Sequence, residues 1–362
     1  MNLLPTEDQD LIVQSISAFL AAEAPLDRLR PRHGQVGNTD HSLWPRLAEL
    51  GVWGLSTPED LGGVGLGVCE EYLLFREFGR HLLSLGALGL TLATRIAAAG
   101  GAHDELALLL TGEARVAIAN PRGPTTLGPI SSGDWHLIEA ESPDFVVAWS
   151  AAGAALFRAD AFKVTASPVA MDSHIILRRA VLDPAVPLVF LPRETDDIGL
   201  RALVLIAAYA VGIVEAAREA STTYAKVREQ FGQPIGRFQA VKHRCANMAI
   251  RAEVAACQTT YAAVALQAGE RDGAFHAIAA KLLATEAALR NAADNIQNHG
   301  AFGFTAEGDA HLFLKRAHTL DFLSGDLPHQ RAALLREPPP CASMAEHHPE
   351  LQGLASLEDA AA

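Results

Sequence analysis

Cysteine is scarce in this chain, with only Cys69, Cys245, Cys257 and Cys341, and no spacing among them suits a metal ion. A disulfide framework or a thiolate metal site is therefore not what organises the protein, and a reduced, cytoplasmic compartment is expected. Positive charge is also short: 42 acidic residues against 29 basic ones give a formal net charge of -13. That balance argues against nucleic acid or an anionic membrane as the main partner, while leaving room for a local basic pocket. The opening "MNLLPTEDQDLIVQ" has neither the cationic start nor the apolar centre of a signal peptide. The most apolar run, Ala202 to Val214, stops at Glu215 and is too short to span a bilayer. It is expected to be a helix buried on all sides, in a large helical core or a subunit interface.

What is present is an ordinary globular composition, 49% hydrophobic and 20% charged over 362 residues, enough for two or three domains. Residues 1–113 carry helical periodicity, starting at Thr6 with Gln9 three residues on. Residues 114–198 break into short runs such as "RVAIAN", "DFVVAWS" and "PLVFL", separated by turn formers, which predicts a small antiparallel β domain. Over 199–337 the helices are long: Arg201–Arg228, Arg237–Ala268, Gly273–His299 and Asp309 to Leu323. Joined by short connections, they predict an antiparallel four-helix bundle. Residues 338–362 are expected to be a loosely ordered tail.

One corner of that bundle is "YAKVREQFGQPIGRFQAVKHR". Arg228 has two readings there. It complements the negative C-terminal end of its helix while Gly232 and Gly236 make the turn, or the corner holds an anionic ligand with its cations and backbone N–H groups.

Three phrases carry a resemblance: "REQFGQPIGRFQ" (Arg228–Gln239), "QNHGAFGFTAEG" (Gln297–Gly308) and "PEDLGGVGLG" (Pro58–Gly67). Over residues 3–337 the chain resembles the acyl-CoA dehydrogenase family, with Ala301 replacing the second glycine of the second phrase. The resemblance implies a mainly α fold: an N-terminal helical domain, a middle β-barrel-like domain and a C-terminal four-helix bundle. It implies FAD as cofactor, an acyl-CoA thioester as substrate, α,β-dehydrogenation as reaction and an electron-transferring flavoprotein as acceptor. By the same resemblance, Arg228, Gln230, Phe231 and Gln239 contact the pyrophosphate and adenosine of a neighbouring subunit's FAD. Gln297, Gly300 and Ala301 contact its adenine–ribose end.

The base is where the resemblance breaks. The family's glutamate position falls on Ser324 in "LSGD", and an alternative position falls on Ala202. Asp326 is a weak replacement and is expected to cap the short helix after it, with Pro328 in the first turn. His299 and His318 are expected to be structural. Of the flavin-ring loop only Asn120-Pro121 and the hydroxyls of Thr125 and Thr126 remain, and Trp135 and Trp149 are expected in the core or an interface. Together these losses resemble the non-catalytic partner in a heteromeric α2β2 enzyme, including those for bulky or steroid side-chain acyl-CoA. Two alternatives stay open: a self-sufficient homotetramer using Asp326 or another carboxylate, and a non-redox helical scaffold or acyl-CoA-binding protein.

Overall fold

Thr6 starts the first helix as its spacing predicts: its Oγ1 accepts the Gln9 N–H at 3.2 Å, and Gln9 Oε1 accepts the Thr6 N–H at 3.0 Å. In a computed structural model that describes residues 3–30, 40–139 and 141–340, five helices follow from there. They are α1 (Glu7–Glu23), α2 (Trp44–Glu49), α3 (Val68–Arg80), α4 (Gly86–Ala99) and α5 (His103–Leu110). Most of the expected C-terminal tail, residues 341–362, lies outside the described residues.

Seven strands come next: β1 (Val116–Thr126), β2 (Ser131–Ile138), β3 (Phe145–Ser150), β4 (Gly153–Arg158), β5 (Phe162–Ala166), β6 (Leu177–Ala185) and β7 (Val189–Pro192). They form one sheet in the order β5-β6-β2-β1-β3-β4-β7. The expected all-antiparallel arrangement is corrected at one pair, since β1 and β3 run parallel from Val116↔Phe145 to Ala119↔Ala148. The β1–β2 hairpin brings the chain back to the start of β1, and β3 sets out from there along its other edge. Alternation then buries both faces. Val116, Ile118, Phe145 and Val147 join the main core with the helices, while Ala117, Ala119, Val146 and Ala148 join Trp135, Phe157 and Phe162 in a second cluster.

The bundle is α6 (Ile198–Val227), α7 (Gln239–Gln267), α8 (Gly273–His299) and α9 (Ala310–Phe322), closed by α10 (Leu327–Leu334). A two-residue hairpin, β8 (Glu229–Gln230) with β9 (Gln233–Pro234), makes the α6–α7 corner. The apolar run is part of a longer helix, as the expected Arg201–Arg228 segment implied. α6 runs on past Glu215 to Val227, and Glu215 is paired with Arg76 at 2.6 Å and Arg80 at 3.2 Å. α6 is therefore long and apolar enough to cross a membrane, yet 78% of its most apolar window is buried within the fold, as expected of a core helix.

Two glycines fix how closely α6 meets α3. A Cβ on Gly212 would stand 2.0 Å from the Arg76 carbonyl oxygen, and one on Gly79 would stand 1.9 Å from that of Tyr209. Backbone faces backbone, so no side chain can move aside. Gly212→Ala is expected to destabilise the fold by about 2–3 kcal/mol, read as a lower midpoint in urea unfolding with little change in slope.

Candidate functional site

Two cavities occupy opposite ends of the bundle. The first, of about 670 Å³, lies where the sheet meets the helices. Its wall includes Asn120 at the bend of β1, Trp149 at the end of β3, Leu200 and Leu203 in the first turns of α6, and the α9–α10 loop with Ser324 and Asp326.

That loop is built as a clamp. Ser324 has φ +58, a conformation disfavoured for any residue with a Cβ. Its N–H donates to Asn120 Oδ1 at 3.0 Å, and its carbonyl accepts from Gln330 Nε2 at 2.6 Å. Lys281, 1% exposed, donates its ammonium to the carbonyls of Gly325 and, at 3.4 Å, Asp321. Burial pushes the Lys281 ammonium down to about 8, against the opposing pull of Asp321 and Asp326. The cation thus takes the place of the water that would solvate the carbonyls at the end of α9.

Ser324 therefore stands in the cavity wall, which among the described residues also carries the carboxylates of Asp326, Asp197 and Glu337. Asp326 caps α10 as expected, accepting the His329 N–H at 3.0 Å, with Pro328 in the first turn. Asp197 caps α6 through the Leu200 N–H at 3.0 Å and pairs with Arg193 at 2.7 Å. Glu337, at the rim, has no side-chain partner among the described residues. Ala202 is wholly buried and outside the wall, and its neighbour Arg201 pairs with Glu71. His318 is exposed on α9.

Trp135 is a core residue, 1% exposed, and Trp149 packs against the edge of the main core. Half-buried in the cavity wall, it donates its indole N–H to Ser324 Oγ at 3.0 Å. The β-branched and apolar pattern around it hid this, because β3 ends at Ser150 and releases the indole at the sheet margin. Thr125 and Thr126 lie on β1 beyond the wall, whereas Asn120 and Pro121 line it. Lys281 and Gln330 gave no signal in the sequence, since a helical lysine or glutamine is ordinarily solvated.

The second cavity, of about 650 Å³, lies at the hairpin corner. Arg228, Gln230, Gln297, Gly300 and Ala301 all line it, although up to 73 residues of sequence separate them. The Arg228 guanidinium and the Gln297 amide have no partner among the described residues. Gly300 ends α8 with φ +62, and a Cβ there would meet nothing within 4 Å, so its role is conformational. Below it, His299 stacks on Tyr224 with ring centroids 4.1 Å apart and bonds the Asn295 carbonyl at 2.8 Å. Phe231 and Gln239 are not brought into this wall. Positive φ at Phe231 (+53) and Gly232 (+77) makes a tight hairpin turn that leaves the ring 93% exposed, edge-on to Phe238. Gln239 is exposed as the first residue of α7.

The profile of the acyl-CoA dehydrogenase N-terminal domain matches residues 6–103, and that of the acyl-CoA dehydrogenase C-terminal domain matches residues 202–337. Acyl-CoA dehydrogenase IpdE2 of Mycobacterium tuberculosis is 33% identical, over 87% of this chain and 92% of that protein. In fold, the chain is similar to a chain of the ChsE4-ChsE5 complex from Mycobacterium tuberculosis, with a TM-score of 0.80 at 22% identity over 94% of this chain and 100% of that one. It is also similar to PigA solved with FAD and proline, with a TM-score of 0.81 at 20% identity over 93% and 98%. With its helical domain, central sheet and helical bundle in this order, the chain belongs to the acyl-CoA dehydrogenase family of oxidoreductases.

Proposed function

We propose that this chain is the partner subunit of a two-chain acyl-CoA dehydrogenase, completing the FAD site of a catalytic chain without removing the α proton itself. The observation that carries this reading is Ser324. It stands where the base is expected, bonded to Trp149, and Asp197 and Asp326 in the same wall are committed to helix caps. A serine hydroxyl needs a base of its own before it can take a proton from carbon.

The corner cavity suits the other half of the task. An uncommitted guanidinium, two primary amides and a helix terminus with a left-handed glycine form a donor set that fits a pyrophosphate and a nucleoside. Arg228 would neutralise the pyrophosphate, and Gln230, Gln297 and the backbone near Gly300 and Ala301 would hold the adenosine end. FAD supplies the hydride acceptor that no side chain provides. The ChsE4-ChsE5 complex gives a precedent for two chains of this fold in one assembly. The same reading gives an α2β2 assembly in the cytoplasm, a bulky acyl-CoA such as a steroid side-chain thioester as substrate, and an electron-transferring flavoprotein as acceptor.

Flavin stoichiometry tests it. The chain is purified alone and then co-expressed with an acyl-CoA dehydrogenase encoded beside it. One FAD per two different chains, with enoyl-CoA formed only by the pair, is expected. One FAD per chain with turnover alone would replace this reading by a self-sufficient enzyme. Glu337, the rim carboxylate without a side-chain partner among the described residues, would then be the base to test as Glu337→Gln.

A further inference from the structure

Three asparagines of α8 are buried, and two of them are fully engaged. Asn291 donates Nδ2 to the carbonyls of Val214 and Met248, both at 3.1 Å, and its Oδ1 accepts from Arg251 Nε at 2.7 Å. Asn298 donates Nδ2 to Ser221 Oγ at 2.5 Å, and its Oδ1 accepts from Arg244 at 2.8 Å. Asn295 lies between them in sequence, 0% exposed, and neither its Nδ2 nor its Oδ1 meets a partner among the described residues. An amide in that state has given up water without replacing it, which is unfavourable on both atoms.

Asn295 belongs to the wall of a small chamber of about 150 Å³, which shares His299 and Phe302 with the corner cavity. Leu26, Phe302, Phe313 and the His299 ring give the chamber flat, largely apolar sides. Its ion pair is closed on itself. Arg30, just after the turn Leu26–Leu29, donates Nε and Nη2 to the two Asp309 oxygens at 2.8 and 2.9 Å. Among the described residues the wall thus holds no uncommitted carboxylate, ammonium or guanidinium.

These features select a ligand chemistry. A primary amide sets a donor beside an acceptor, so its complement is a group carrying the same two functions reversed. A carboxylic acid is ionised at neutral pH and would find no free cation. Flat sides favour a ring, and an apolar cavity of about 150 Å³ takes a single benzene-sized one.

We infer that this chamber is a binding site for a small neutral cyclic amide, whose ring N–H donates to Asn295 Oδ1 while its carbonyl oxygen accepts from Nδ2. The ring lies among Phe302, Phe313 and His299, and the solvent-facing Arg30–Asp309 pair parts to admit it. The inference depends on neither the FAD nor the acyl-CoA reading above.

Ligand-observed NMR on the full chain tests it with 2-pyridone and N-methyl-2-pyridone. The wild-type chain is expected to bind 2-pyridone about 10-fold more tightly, since the methylated ring leaves Asn295 Oδ1 unpaired. Asn295→Leu removes the amide and should bring the two ligands to parity. Leucine keeps the volume without a buried unpaired group, so the melting temperature of this variant should equal or exceed that of wild type. No saturable binding of 2-pyridone, equal affinities in the wild type, or a gap that survives Asn295→Leu would overturn the inference. So would a lower melting temperature for Asn295→Leu, which would show that internal water already bonds the amide and holds the fold.

Discussion

Arg316→Met is expected to destabilise the protein by about 3–5 kcal/mol, a large part of the stability of an ordinary domain. Arg316 on α9 is 2% exposed and pairs with Asp172, itself 3% exposed, at 2.7 Å. It also donates to the Leu83 carbonyl at 2.7 Å, the Leu82 carbonyl at 3.2 Å and the Tyr209 hydroxyl at 2.5 Å. One guanidinium thus joins the N-terminal helices, the segment between β5 and β6, and two bundle helices. Its loss leaves the buried Asp172 carboxylate without its countercharge, with only His174 bonded to it. Arg316→Met with Asp172→Leu should recover much of the deficit, since the desolvation cost leaves with both charges. Urea unfolding of the two variants decides it: equal midpoints would show that the ion pair was not what the single change removed.

The same pair sets an acid limit. Burial works against the Asp172 carboxylate, but Arg316 and the two hydrogen bonds from His174 outweigh it and hold the group well below the usual carboxylate range. A depressed folded-state pKa contributes stability that is fully present above the unfolded value of about 3.9. That contribution is lost as pH falls below it toward the folded value. Asp172→Asn should flatten this part of the acid-unfolding profile.

Arg228→Ala should leave the fold within about 0.5 kcal/mol of wild type, because the residue is exposed and its side chain holds nothing in this chain. In the two-chain complex it should weaken FAD binding by about 10- to 100-fold, the loss of a charge-assisted contact to phosphate. Arg228→Glu should weaken it further, and Arg228→Lys should fall between, keeping the charge without the planar fork. FAD titration of the apo complex measures this. Full retention by Arg228→Glu would return the corner to its other reading, a cation complementing the end of α6.

Much of the architecture was legible in the residues. Helix boundaries in the bundle fall within a few residues of expectation because long amphipathic or alanine-rich segments leave few alternatives, and Asp326 with Pro328 spelled a helix start. Local chemistry of that kind needs no distant partner. The parallel β1–β3 pair needed one, since period-2 alternation is the same for either strand direction. The place of Trp149 in a cavity wall needed one too, since an indole in a strand meets core or cavity according to what faces it.

By itself, the sequence determined the family, the order of helices, sheet and bundle, the cationic corner and the absence of glutamate at Ser324. Those depend on identity and spacing along the chain. Tertiary structure decided that Arg228 and Gln297 share a cavity that Phe231 and Gln239 do not enter. It also decided that Lys281, Asn120, Gln330 and Trp149 converge on one strained serine. These residues lie up to 210 positions apart, and only packing of sheet against bundle brings their hydrogen-bonding groups within reach.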